Sequence, residues 1–177
     1  MDIGPDQGSL TLTTGVAGAA ARVGHNLVIV LDDWSATVTM SRGRPRAVSL
    51  SAALASLRIE SGSGGIKPIS DRDRADIRAS ALGALHADEH PEATFEANAL
   101  RLAGDTLPME GTLTVGGTAR AISALADVER ADGHVRVHCT VPVLQSDFGV
   151  TPHSTMLGQL KVADEVHIDL DVEVDVP

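Results

Sequence analysis

Aromatic side chains are the scarcest component of this sequence. They make up 2% of its 177 residues, tyrosine is absent, and Trp34, Phe95 and Phe148 supply every Trp and Phe ring. Proteins that bind single-stranded nucleic acid stack bases on aromatic side chains, and proteins that bind duplexes present a basic surface. Because the chain has few rings and a net charge of −10, we expect no nucleic-acid partner.

Cysteine and long apolar runs are also scarce. Cys139 is the single cysteine, so no internal disulfide forms. The first residues, MDIGPDQGSL, lack the basic and apolar regions of a secretory signal. No run approaches the ~18 apolar residues of a membrane-spanning helix. These features predict a cytoplasmic protein without stable membrane insertion.

Alternating apolar and polar residues dominate what is present. In EVHIDLDVEVDV, residues 165–176, every second residue from Val166 is apolar and most of the others are acidic. Successive side chains of a strand point to opposite faces, so this segment predicts a strand with one dry and one wet face. The segments SLTLTT, NLVIVL, WSATVTM, ATFEANA, MEGTLTVGG and HVRVHCTVPV also predict strands. Such one-sided alternation is typical of antiparallel sheets.

Two segments depart from simple alternation. In RAVSLSAALASLRIE the apolar parity changes between Leu50 and Leu57, which predicts a bulge or bend near residues 52–55. In SDRDRADIRASALGAL, Ser70 and Asp73 form a sequence resembling a capping box, and Ile77, Ala81 and Leu85 form a narrow apolar stripe. This pattern predicts a helix that lies across an opening.

Together these elements predict one all-β domain over residues 1–177. We expect an elongated antiparallel barrel of about eight strands with one capping helix, and a flattened sandwich is the alternative. The inward faces are rich in Ala, Val and Gly, so a hollow barrel is favoured over one filled by side chains. Its predicted lining residues are Ile29, Trp34, Phe95, Leu113, Val115, Val137 and Val141, with Ile77, Leu85, Phe148 and Met156 near the ends.

Several segments, in this order, resemble the YceI-like family of lipocalin-shaped, polyisoprenoid-binding proteins. They are VGHNL, SLRIESGSGGIKP, HPEATF, GTLTVGG and QSDFGVTPHSTMLGQLKVADEVHI, and the resemblance runs from about Gly8 to Val174. It implies a barrel capped by a helix, with a long isoprenoid or similar amphiphile inside. We therefore expect non-catalytic binding or transport of a hydrophobic lipid, with no cofactor and no metal. Whether the protein forms a homodimer stays open.

A charged head group on such a lipid would need a cation near the opening. The candidates are His25, Lys67, Arg74 and Arg78, although acidic residues interleave with the arginines as on any solvated helix. His25 has a structural alternative, in which its ring fixes the first turn by a hydrogen bond.

Two other classes of function stay open. A hydrolase or isomerase would use His25, or a zinc ion on His86 and His90, which are four residues apart. A nucleophile built from Ser146, Asp147 and His153 is disfavoured because no G-x-S-x-G elbow occurs. The third class is a filled barrel whose acidic outer face meets a basic protein partner.

Overall fold

A single curled antiparallel sheet dominates the computed structural model, which describes residues 1–155, 157 and 159–175. The strands are β1 (Asp2–Ile3), β2 (Gly8–Ala17), β3 (His25–Leu31), β4 (Trp34–Ser41), β5 (Arg44–Ala53), β6 (Leu57–Gly64), β7 (Glu92–Asn98), β8 (Thr106–Val115), β9 (Thr118–Ala131), β10 (His134–Leu144), β11 (Ser154–Thr155) and β12 (Leu160–Asp175). The only α-helix among the described residues is α1 (Asp71–Ala84).

The hydrogen-bonded order of the sheet is β1-β4-β5-β7-β8-β9-β10-β12-β2-β3-β6, with the short β11 on β12. Its two outer sides, β6 and the β1–β4 pair, do not hydrogen-bond to each other within the described residues. The sheet curls until Trp34 of β4 packs in one cluster with Leu10 of β2 and Leu31 of β3. The structure is therefore a half-barrel. It confirms the predicted antiparallel, barrel-like all-β fold, with twelve strands instead of about eight and a seam that strand pairing does not close.

The helix begins where the sequence predicts. Ser70 is the N-cap: its hydroxyl accepts from the Asp73 N–H, and the Asp73 carboxylate accepts from the Ser70 N–H, which completes a capping box. Ile77, Ala81 and Leu85 pack against a buried cluster on β3 and β6. The helix thus lies beside the open seam. No helix in the described part of the chain has the length and apolarity needed to cross a membrane.

The last strand has the predicted orientation. Val166, Val172 and Val174 are buried, and Ile168 and Leu170 pack against the interior clusters. On the other face, Asp171 of β12 lies opposite His138 of β10 and is paired with Arg136. The period-two pattern of the sequence therefore identified both faces correctly.

One local prediction is confirmed in its second form, and one strand was missed. The predicted bulge or bend near residues 52–55 is a bend: β5 and β6 are joined there by a short 3₁₀ turn, Leu54–Ser56. Leu54 is buried at this corner, so the change in parity marks a change of strand. Strand β9 was missed because its inward residues are mostly small, and Leu125 lies on its outer face with 57% exposure.

Candidate ligand-binding interior

The concave face of the half-barrel is apolar yet incompletely packed. Inward side chains on five strands, Leu12, Val38, Leu50, Val137, Val141, Ile168 and Leu170, pack against the core but keep part of their surface accessible. Among the described residues, no large side chain is less than 2% exposed, whereas the small Ala126 and Ala97 are 0% and 1% exposed. The inner face therefore carries apolar side chains that keep part of their surface accessible.

The buried residues form four clusters distributed along the wall. Most compact domains have one contiguous core with small satellites. Here partly buried residues connect the clusters: Leu85 of the helix end packs against three of them, and Ile168 and Val137 each pack against two. These connecting residues therefore join the four clusters along the inner face of the sheet.

The structure distributes the predicted lining residues over all four clusters. Trp34 lies in the first; Ile29 and Ile77 belong to the second; Phe95, Leu113, Val115 and Phe148 meet in the third; Val137 and Val141 lie beside the fourth. Met156 lies outside the described residues. Trp34, Ile29, Leu113 and Phe148 are buried in the wall, whereas Val137 and Val141 keep accessible surface. The accessible group contains the stronger candidates for ligand contact.

Phe148 is buried where the chain after β10 meets the end of the helix. It ends the 3₁₀ segment Gln145–Phe148, is 5% exposed, and packs with Leu113 and with Leu85 of the helix end. A bulge in β12 holds this segment: three residues, 163–165, lie opposite the single Gly15 of β2.

The bulge presents two acceptors to the 3₁₀ segment. The carbonyl of Ala163 accepts from the Gln145 amide, and the carboxylate of Asp164 accepts from the Ser146 hydroxyl and N–H. These bonds from Ser146 hold the pKa of Asp164 below its usual range. These bonds hold the segment that carries Phe148 beside the helix end.

Arg74 and Arg78 fasten the helix to the open edge of the sheet. The Arg74 guanidinium donates to the carbonyls of Ile59 and Glu60 at 2.8 and 2.7 Å, and the Arg78 guanidinium donates to those of Leu57 and Ala55. An outer strand leaves backbone carbonyls without a strand partner. The two arginines satisfy three carbonyls of β6 and that of Ala55 in the preceding 3₁₀ turn, so their charges face the seam. We refer to these four bonds as the arginine latch.

His25 and Lys67 meet at the start of the helix connection. The ring Nε2 of His25 donates to the Lys67 carbonyl at 2.8 Å, and the ring lies against Gly65, where a side chain would collide with it. Gly65 has a φ of +71°, which also favours glycine. This contact matches the structural alternative for His25, a hydrogen bond that fixes the loop between β6 and α1.

His86 and His90 do not lie on a helix. His86 follows α1 with a left-handed φ of +51°, and residues 85–89 form a turn, so the helical spacing assumed for a shared zinc ion does not apply. The hydroxyl of Ser146 is bonded to Asp164. No group of three His, Cys, Asp or Glu side chains in the described ranges is arranged to hold a metal ion.

Charged residues of the sheet lie on its outer face. Arg136 pairs with Asp171 across β10 and β12, and Arg58 pairs with Asp32 at 2.9 Å. The hydrogen bond from Arg136 lowers the pKa of Asp171, and that from Arg58 lowers the pKa of Asp32. Inside, burial raises the pKa of the Cys139 thiol to about 11. The outer face is thus wet and charged, and the inner face excludes charge.

Sequence reasoning missed several interior residues. Leu12 and Thr14 lie on the inward parity of β2 with Leu10, and Ile122 lies on that of β9. The alternation of SLTLTT places Leu12 on the same face as Leu10, so the inward orientation of Leu12 was predictable from the sequence. Thr14 was missed because threonine is polar, and a polar residue in an alternating pattern is normally assigned to the solvent-exposed face. Its hydroxyl is the one buried side-chain oxygen without a hydrogen-bond partner in the described part of the chain.

A curled antiparallel sheet with an apolar inner face and a helix along its seam defines a lipocalin-like, barrel-type protein. The family model of the YceI-like domain matches residues 7–174. The chain therefore belongs to the YceI-like domain family, as the resemblance in sequence implied. No curated protein matched the chain at a significant level.

Solved structures share this fold at low sequence identity. BcnA of Burkholderia cenocepacia has a TM-score of 0.66 at 18% identity, covering 93% of this chain and 96% of its own. A polyisoprenoid-binding domain of Saccharophagus degradans, implicated in plant cell wall breakdown, has a TM-score of 0.62 at 14% identity, covering 96% and 94%. The YceI protein of Campylobacter jejuni has a TM-score of 0.61 at 16% identity, covering 88% and 85%. At these identities the likeness concerns the fold.

Proposed function

We propose that this protein holds one hydrophobic, isoprenoid-like amphiphile in the half-barrel and carries it without changing it chemically. The observation that carries the proposal is the inner face, where apolar side chains such as Val137, Val141 and Ile168 remain partly accessible. Each methylene transferred from water to such a surface gains about 0.8 kcal/mol. The name of the similar domain of Saccharophagus degradans supports an isoprenoid as the class of ligand.

The shape of the interior favours a long, narrow ligand. We infer that the buried Phe148 and the helix end at Leu85 close one end, because both pack in one cluster and the long strands β10 and β12 continue beyond it. A ligand that enters chain-first would place its tail against the closed end and its polar end away from it. This orientation leaves the polar end in contact with water, which avoids burying an unpaired polar group.

The decisive variants fill the accessible surface. Gly111 is unsuitable, since a Cβ at that position would lie 2.6 Å from the Glu96 carbonyl oxygen. We choose Val137→Phe with Ile168→Phe, because both side chains are inward and only partly buried. The matched control is His138→Phe, which is exposed on the outer face of β10.

Binding is followed by the fluorescence of Trp34, the single tryptophan, during titration with geranylgeraniol. We expect saturable binding by the wild type and by the control, and at least tenfold weaker binding by the filled variant at an unchanged fold. Equal affinity for all three proteins would refute the interior site. Recovery of chemically unaltered geranylgeraniol after prolonged incubation tests the non-catalytic part of the proposal. The cytoplasmic location stays a prediction from the sequence.

A further inference from the structure

A cleft of about 540 Å³ outside the half-barrel interior is unusually basic. It is lined by Arg44, Pro45, Arg46, Leu100, Arg101, Leu102 and Gly104. Three of these seven residues are arginines, in a chain whose net charge is −10. The cleft lies between the start of β5 and the loop that joins β7 to β8. We refer to it as the arginine cleft.

The backbone fixes the arginines in this position. Ala47 pairs with Thr39 and Pro45 pairs with Met40, so Arg46 is the extra residue of a β-bulge, a feature that often re-aims a side chain beside a functional site. The Leu100 N–H donates to the Arg46 carbonyl at 2.9 Å and ties the loop to the bulge.

The loop itself is also held in place. Ala99 has a φ of +58°, an uncommon conformation for alanine, and it turns the chain so that Leu100 is buried with 2% exposure. Arg101 therefore extends from an anchored residue. The two sides of the cleft are joined, so their spacing is set by the fold.

The positive charge of the cleft is not neutralised by the protein. Within the described ranges, neither Arg44, Arg46 nor Arg101 forms an ion pair. Asp105, the carboxylate that follows in the same loop, instead lies 3.7 Å from Arg130. Like charges held in one cleft repel each other, and an anion bound between them removes the repulsion.

We propose that the arginine cleft binds a phosphate or diphosphate group. The planar guanidinium fork matches two oxygens of a phosphate, and arginine is the residue that favours such bidentate contacts. Several arginines from two segments allow more than one phosphate oxygen to be bound at once. The proposal does not depend on a lipid in the interior, since a free anion and the head group of an amphiphile offer the same chemistry.

The test is a calorimetric titration of the full chain with inorganic pyrophosphate, a probe that has no apolar tail. We expect saturable binding that weakens as salt is raised, a roughly tenfold loss in Arg46→Gln or Arg101→Gln, and a greater loss in the double variant. The matched control is Arg120→Gln, an exposed arginine near the opposite end of β9. All variants should retain the wild-type melting temperature, because the substituted side chains are exposed.

Absence of saturable pyrophosphate binding, or equal affinity in the double variant and the control, would overturn the proposal. Farnesyl diphosphate and farnesol then separate the two sources of the anion. If the cleft takes a head group, the double variant should lose affinity for farnesyl diphosphate but not for farnesol. If it takes a free anion, farnesyl diphosphate should bind this cleft no more tightly than pyrophosphate. Both results support the site, and only the pyrophosphate titration decides whether it exists.

Discussion

Removing the arginine latch should detach the helix from the sheet before the sheet itself unfolds. Arg74→Met combined with Arg78→Met keeps most of each aliphatic stem and deletes the four hydrogen bonds to the carbonyls of β6 and of Ala55 before it. The carbonyls of Leu57 and Ile59 belong to buried residues, so water replaces these bonds only in part. The latch therefore stabilises the folded state because it gives these backbone carbonyls hydrogen-bond partners, and because the donors are charged.

The magnitude follows from the number and kind of bonds. A hydrogen bond from a charged donor contributes about 1.5–3 kcal/mol when buried, and both arginines are only partly buried, so about 1.5 kcal/mol for each arginine is a reasonable value. The double variant should then lose about 3 kcal/mol, or roughly 6–12 °C in melting temperature for a domain of this size.

Urea denaturation and amide hydrogen exchange measure this effect. Exchange should accelerate first in α1 and along β6, while β8–β10 remain protected. Arg72→Met, an exposed arginine on the same helix, is the control for the loss of charge and helix propensity. If the double variant is no less stable than Arg72→Met, the latch does not hold the helix and the reasoning fails.

Three further predictions concern single side chains. Thr14→Val should be neutral or stabilising by up to about 1 kcal/mol, because it deletes a buried hydroxyl without a partner; chemical denaturation that shows a clear loss would mean that the hydroxyl is satisfied in solution. Cys139 should react with a thiol reagent at pH 8 only slowly, since burial raises its pKa to about 11, and rapid reaction of the folded protein would contradict its placement in the wall. Asp164 has a folded pKa below its unfolded value of about 3.9. Its bonds to Ser146 should therefore stabilise the protein above that unfolded value and cease to do so as pH falls through the folded pKa. The difference in melting temperature between the wild type and Asp164→Asn should accordingly shrink in acid, and a difference that is constant with pH would refute this.

The sequence predicted the features that depend on local periodicity. Residues 166–174 alternate without interruption, and because a strand has a period of two, their inner and outer faces followed directly. The start of α1 was also predictable, since a capping box requires only Ser70 and Asp73 three residues apart. These features need no information about distant parts of the chain.

The features that depend on distant contacts were not predictable. Closure of a barrel depends on the register of every strand pair, and the sequence does not reveal that the outer edge of β6 lacks a strand partner and is covered by a helix. Arg74 and Arg78 were candidates for contact with a charged head group or for an ordinary solvated helix face, because a helix surface gives no sign that a guanidinium reaches backbone carbonyls of a strand. The arginine cleft joins residues more than fifty positions apart in the chain, so it emerges only from the fold.

Native mass spectrometry of the protein purified from its host, followed by organic extraction, tests the central claim most directly. We expect the wild-type protein to form a 1:1 complex with a hydrophobic amphiphile that is released intact on denaturation. The complex should be lost in the Val137→Phe, Ile168→Phe variant and retained in His138→Phe. A protein that remains ligand-free and fails to take up geranylgeraniol would contradict it, as would equal retention of the lipid by the filled variant.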